Sequence, residues 1–208
     1  MMNAKSRWEH VYSSTDVTSV SWFQARCNTS LRLIRAAQLP VEARLIDVGG
    51  GASTLVDGLL EDGFVDLTVL DLSVAALRNA RVRLGARGVT VKWLQGDITE
   101  IDLSSRSFDI WHDRAAFHFL TTPQARAAYL ARMSGALKDG GSVIIATFGL
   151  DGPERCSGMP VCRYDAKALS QVLGEAFQLQ ETVLETHRTP AGAAQQFIYC
   201  RFSFNSSL

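Results

Sequence analysis

The sequence lacks any run of about 18 apolar residues, so it offers no membrane-spanning helix. Its opening residues, MMNAKSRWEHVY, lack the apolar stretch of a secretory signal. Its four cysteines (Cys27, Cys156, Cys162 and Cys200) have neither the paired spacing of a metal site nor the density of a disulfide framework. A reducing cytoplasm is the expected compartment. There is no excess charge either: 21 Lys and Arg balance 21 Asp and Glu, so no basic face is expected for nucleic acid. No internal repeat or low-complexity segment interrupts the chain. What remains is a 208-residue sequence, 47% hydrophobic and 20% charged, which suits one α/β domain with a sizeable core.

The most informative stretch is RLIDVGGGASTLVDGLL, residues 44–60. Leu45, Ile46 and Val48 form a short apolar run, three glycines follow, and then comes a helical pattern over 53–61. That is a strand, a tight turn and a helix whose first amides are unpaired. Dinucleotide sites use G-x-G-x-x-G at such a turn. Gly49 and Gly51 fit its first two positions, but Thr54 holds the third, and Asp47 stands just before the turn. A carboxylate there suits a cationic ligand better than a pyrophosphate.

Two more acidic residues end apolar runs. Asp71 closes a strand expected over 66–71, where a carboxylate can accept both hydroxyls of a ribose. Ser73 is better placed to cap the helix expected over 73–86. Asp97 closes the LQGDIT stretch after a strand expected over 89–94. Regular alternation of strand and helix predicts a parallel sheet covered on both faces, with ligands at the carboxyl ends of the strands.

The D-x-G-G-G motif and the three strand-end carboxylates resemble the class I methyltransferases that use S-adenosylmethionine (SAM). The likeness runs from Trp8 to Phe202. It implies a Rossmann-like three-layer sandwich, with a mostly parallel seven-stranded sheet and an antiparallel last strand. It also implies SAM as cofactor, leaving S-adenosylhomocysteine. By that resemblance the cofactor contacts fall at Asp47, Gly49, Gly50 and Gly51, at Asp71 with its neighbour Leu72, at Asp97 with Ile98 beside the adenine, and at His112 and Trp22. The pattern W-x-x-x-Y followed by V-S-W-F resembles the N-terminal segment of one group within the family. That group holds bacterial proteins of unassigned substrate and eukaryotic enzymes that methylate lysines of citrate synthase and elongation factor 1A. Residues 1–40 are accordingly expected as a helical lid segment, with a helix over 22–39, and residues 41–208 as the methyltransferase domain. The first segment reads equally as plain packing on the sheet.

The strand expected over 107–112 runs into WHDRAAFHFL, which in the family lies beside the transferable methyl group. Asp113, His112, Arg114 and His118 are the candidate catalytic residues. His112 and His118 are six residues apart, a poor match for one helical face, so no metal is expected. Asp113 and Arg114 read either as an ion pair at a helix start or as groups that position a polar substrate. In the lysine-methylating relatives an acidic residue here is followed by K-G-T, whereas this chain has R-A-A. Thr122 and Pro123 open a helix, and LKDGG with SVIIATF resembles the family's fifth strand. The irregular stretch 149–164 should overhang the site, with Arg155, Cys156, Arg163 and Tyr164 as candidate substrate contacts. Asp165 caps a short helix, and two strands joined by T-P-A-G-A end the chain.

Methyl transfer from SAM is an in-line displacement at an already activated carbon, so the protein mainly aligns the partners and excludes water. A hydroxyl or ammonium acceptor needs a base, and a thiol needs little. No unambiguous base is visible. The expectation is therefore a small-molecule acceptor, with a thiol or sulfide favoured and a carboxylate also open. A protein lysine acceptor is the alternative, and a SAM- or nucleotide-binding module without turnover is the second. The expected state is a monomer or homodimer with no nucleic-acid or membrane partner.

Overall fold

The computed structural model describes residues 3–206. The chain runs α1 (Ala4–Ser14), α2 (Asn28–Arg35), β1 (Leu45–Val48), α3 (Leu55–Glu61), β2 (Leu67–Asp71), α4 (Val74–Leu84), a 3₁₀ segment Gly85–Thr90 and β3 (Lys92–Gln95). It continues through β4 (Phe108–Arg114), a 3₁₀ turn Phe117–Phe119, α5 (Pro123–Ala136), β5 (Leu137–Phe148), the small hairpin β6 (Arg155–Cys156) and β7 (Met159–Pro160), α6 (Ala166–Leu173), β8 (Phe177–Arg188) and β9 (Ala194–Phe204).

Seven strands form one sheet in the order β3-β2-β1-β4-β5-β9-β8. All pairs from β3 to β5 are parallel, and β9 runs antiparallel to both β5 and β8. The strand order reverses between β1 and β4. At that switch the two outgoing connections part in opposite directions and leave a crevice at the carboxyl ends.

The pleat sends alternate residues to two apolar layers. On one face Leu45, Leu67, Val69 and Ile110 pack with Leu31, Leu33 and Ile34 of α2 and with Leu55, Val56 and Leu59 of α3. On the other, Ile46, Val48, Leu70 and Trp111 pack with Tyr129 and Met133 of α5 and Leu169 and Leu173 of α6. Helix starts are fixed by side-chain caps. Ser73, Thr122 and Asp165 each accept from the amide three residues on, and Pro123 occupies the first turn of α5.

Three expectations change. The helix expected over 22–39 is confined to Asn28–Arg35, because tertiary partners take the carbonyls that a longer helix would use. Ser21 O is 2.8 Å from His187 Nε2, Trp22 O accepts from Arg114 at 3.1 Å, and Gln24 O accepts from Thr54 at 2.9 Å. Within that stretch α2 buries Ser30, Leu31, Leu33 and Ile34. The third strand starts at Lys92, after the 3₁₀ segment. Finally, the strand expected over 107–112 extends through Arg114, which pairs with Ala146 of β5. That extension decides the geometry of the site.

Candidate functional site

β1 delivers the chain to the switch and the glycine turn reverses it. Gly49 and Gly50 amides both donate to Leu70 O, at 2.8 and 3.2 Å, which ties the turn to β2. Gly49 has φ +67°, and a Cβ there would stand 2.6 Å from the Ala116 Cβ. Gly51 has φ +43°, and its Cβ would meet Asp71 Oδ2 at 2.7 Å. No other residue type fits these left-handed, crowded positions without displacement.

Two adjoining cavities open at this edge and share Tyr12, Trp22, Gly49 and Arg114 in their walls. The larger, about 310 Å³, has Asp71, Leu72, Asp97 and Ile98 at one end and Cys156, Met159 and Pro160 at the other. The smaller, about 50 Å³, is bounded by Asp47, Gly50, Ser53, Thr54, His112 and Gln24. Trp8 and Tyr12 of α1 close the larger cavity from outside. Trp8 meets Trp22 edge-on at 5.5 Å and Phe119 at 5.3 Å, and the Trp22 indole donates to the Tyr12 hydroxyl at 3.1 Å.

Asp71 is buried and has no cation against it. Its Oδ1 accepts the Ser73 amide at 2.8 Å, and burial pushes its carboxyl up to about 7, with Asp47 and Glu9 adding like charge. A carboxylate desolvated in this way gains from hydroxyl donors, which is what a ribose supplies. Asp97 holds the following turn by accepting from the Thr99 amide and hydroxyl at 2.8 and 2.7 Å. Asp47 lies 2.7 Å from His112 Nδ1, whose Nε2 is 2.8 Å from the Ser30 hydroxyl. Both ring nitrogens of His112 are therefore engaged.

The residues of WHDRAAFHFL divide between the faces of the sheet. His112 and Arg114 point toward the cavities. Asp113 points the other way, where it accepts from the Ala116 and Phe117 amides and the Tyr129 hydroxyl at 3.0, 3.1 and 2.8 Å. It is fully buried and lines neither cavity, and burial pushes it up to about 6. Of the two readings of Asp113 and Arg114, the ion pair is absent from the described residues, which also hold no group of His, Cys, Asp or Glu that could bind a metal. His118 is also outside both cavities: it packs on Phe119 and Phe148, and burial, then the Arg114 charge, push it down to about 3.

Of the expected substrate contacts, Cys156 alone lines a cavity, and burial pushes its thiol up to about 11. Arg155 bonds Gly158 O within the β6–β7 hairpin. Arg163 holds the same loop through Leu150 O, Gly152 O and Glu154, at 2.8, 3.2 and 3.1 Å. Tyr164 sits in the apolar layer beside Phe117. Both arginines thus build the loop, and Tyr164 packs beneath it. No local pattern marks Ser30, bonded to His112, Glu9, bonded to Ser73, or Tyr199, which Arg114 Nε reaches and which itself donates to Glu185.

Residues 45–141 match the family described as a methyltransferase domain. The malonyl-[acyl-carrier protein] O-methyltransferase of Paenibacillus sp. (strain JDR-2) is 30% identical over 112 residues, 52% of this chain. This chain spans only 40% of that protein's length. Among solved structures, one reported for conversion of a disulfide bond into a thioacetal group during echinomycin biosynthesis superimposes with a TM-score of 0.79 at 17% identity, covering 99% of this chain and 94% of that one. The Burkholderia thailandensis 1,6-didemethyltoxoflavin-N1-methyltransferase, with its substrate and S-adenosylhomocysteine bound, gives 0.68 at 21% identity, covering 94% and 81%. Over residues 45–141 the chain matches the methyltransferase-domain family, and its Rossmann-like fold is the one seen in these solved structures.

Proposed function

We propose that this chain is an enzyme that transfers a methyl group from SAM to a small-molecule nucleophile. The observation that carries the reading is the convergence of Asp47, Asp71 and Asp97, one from each of three strand ends, on two adjoining cavities at the sheet's switch point. Asp71 would take the ribose hydroxyls, Asp97 and Ile98 the adenine, and the glycine turn with Asp47 the methionyl end. The bound cofactor supplies a methyl group on a positive sulfur, activated for displacement. The protein's part is to bind, to orient and to keep water out. Gly49 to Gly51 allow close approach of the main chain, His112 and Ser30 hold the Asp47 carboxylate in place, and the aromatic roof of Trp8, Tyr12 and Trp22 excludes solvent.

The lid role proposed for the N-terminal segment falls to α1 and the Trp22 turn, with α2 part of the domain proper. The small acceptor is supported by the largely apolar lining of the cavity beneath that roof and by the 30% identical malonyl-[acyl-carrier protein] O-methyltransferase. A soft or already ionised acceptor (thiol, sulfide or carboxylate) fits the lack of a free base: His112 is bonded on both sides, and His118 and Asp113 lie outside the cavities.

Calorimetry with SAM, S-adenosylhomocysteine and NAD tests the reading. Wild type should bind the first two and not the third. Asp71→Ala should weaken binding about 100-fold, the effect of stranding two buried hydroxyls. Binding of NAD in place of SAM would overturn the assignment.

A further inference from the structure

Arg114 is a half-buried cation held in an unfinished shell. Its Nε donates to the Tyr199 hydroxyl at 2.9 Å, its Nη1 donates to Trp22 O at 3.1 Å, and its guanidinium carbon stands 4.3 Å from the Phe197 ring centroid. The remaining nitrogen, Nη2, is buried without a partner, and Arg114 lines both cavities. No carboxylate forms an ion pair with it among the described residues. Glu185 stands one residue removed, accepting from the same Tyr199 hydroxyl at 3.3 Å, and is also occupied by Gln24 and Thr29. A guanidinium drawn partly out of water without a direct counter-ion, with one buried donor left open, gains when an anion arrives to complete it. The larger cavity that Arg114 lines also has Trp8, Trp22, Phe119, Met159 and Pro160 in its wall.

We propose that Arg114 is the recognition group for the methyl acceptor, and that the acceptor is an anion, a carboxylate or a thiolate, on an apolar body. The inference rests on the methyl-transfer reading above and names its substrate class. A planar guanidinium with a free N–H suits such a group better than a point charge would. The chemistry agrees. An acceptor that is already an anion forms its new bond to the methyl carbon as the methyl–sulfur bond breaks and that electron pair stays on sulfur. The negative charge of the acceptor and the positive charge of the sulfonium cancel, and no proton has to leave. A site in which His112 is bonded at both ring nitrogens, with His118 and Asp113 outside the cavities, has no need of a base for this.

The test uses protein saturated with S-adenosylhomocysteine and three probes of one shape, benzoate, thiophenolate and neutral benzamide, titrated by calorimetry at a pH of about 8, where both acids are ionised. Wild type should bind at least one anion about tenfold or more tighter than benzamide, and Arg114→Gln should erase the preference. Which anion leads tells carboxylate from thiolate. Arg114→Lys keeps the charge without the fork and should retain part of the preference; it carries the test if Arg114→Gln does not fold. No anion preference in wild type, or a preference that survives Arg114→Gln, overturns the proposal. So does a second pattern: Arg114→Gln weakening S-adenosylhomocysteine about tenfold while leaving 5′-methylthioadenosine unchanged, which would give Arg114 to the cofactor's own carboxylate. Failure of wild type to bind S-adenosylhomocysteine at all would instead sink the methyl-transfer reading, and would be seen before any variant is made.

Discussion

The two arms of the sheet on either side of the β1–β4 switch place charge at their strand ends in opposite ways. In the β1–β2–β3 arm the charges are carboxylates, and Asp47, Asp71 and Asp97 all reach a cavity. In the β4–β5–β9–β8 arm the charge that reaches the cavities is the guanidinium of Arg114, while Asp113, its neighbour in sequence, is turned behind the sheet onto Tyr129. One arm presents acceptors for hydroxyl and amino donors, and the other presents a donor for an anion. The site is polarised end to end. On the proposed reading the cofactor's neutral and cationic parts lie against the acidic arm and the acceptor against the basic one.

The sharpest way to break the acidic arm is at its turn. Gly49→Ala places a methyl 2.6 Å from the Ala116 Cβ on a backbone with φ +67°, so the turn has to shift. We expect S-adenosylhomocysteine binding to fall about 100-fold or more, with a stability loss of about 1–3 kcal/mol from the strained conformation. Calorimetry and thermal melting check both numbers. Anion binding near Arg114 should be changed far less, because the clash is confined to the turn and Ala116.

A smaller effect, and one that tests the arm's chemistry without mutation, comes from pH. Burial holds the free-state Asp71 carboxyl at about 7, well above its ordinary value. The native state therefore keeps a proton that the unfolded chain releases near 4. The stability tied to this group is fully present below about 4 and is lost as pH rises through about 7. Hydroxyl donors favour the ionised form, so binding at pH below about 7 must expel the proton. S-adenosylhomocysteine affinity should fall by up to about tenfold per unit as pH drops below 7. Calorimetry in two buffers of different ionisation heat should show the released proton, and Asp71→Asn should show none. Asp113, held at about 6 by burial, shifts free-protein stability in the same direction but leaves binding untouched.

This contrast also separates what could be read in the sequence from what could not. The acidic arm was legible because each of its anchors closes a local strand-turn-helix unit: LIDVGGG, LTVLDLS and LQGDIT carry their geometry within a few residues. The basic arm was not. Reading 107–112 as a strand that ended at His112 put Asp113 and Arg114 together at a helix start. Two more residues of β-structure, fixed by pairing with β5, place Asp113 and Arg114 on opposite faces. Ser30 beneath His112 and Tyr199 beside Arg114 come from 82 and 85 residues away, through tertiary packing that no local pattern encodes. Arg155 and Arg163 read as substrate contacts because they are charged and in a loop, yet both are used to hold that loop together.

The smallest expected effect decides between the two readings left open for the N-terminal segment. Helix α1 has no fully buried residue, so little apolar area holds it down. Beside the Trp8 ring contacts, polar bonds fix it: Glu9 Oε2 accepts from the Ser73 hydroxyl at 2.8 Å and the Ala75 amide at 3.2 Å, capping α4 from a second helix, the Asn79 amide donates to Tyr12 O at 3.2 Å, and Arg7 Nη1 donates to Ser157 O at 3.1 Å. The bonds of Glu9 and Asn79 latch the roof of Trp8 and Tyr12 to the helix that follows Asp71. Glu9→Ala removes one cap, a loss of about 1 kcal/mol. If α1 is a lid, that loss appears in ligand release: stopped-flow should show S-adenosylhomocysteine leaving roughly three- to tenfold faster, with thermal stability of the free protein nearly unchanged. If α1 is ordinary packing, the free protein melts earlier and the release rate stays where it was. The basic arm carries no part of this latch, so in either case the response to anions near Arg114 should be the same in Glu9→Ala as in wild type.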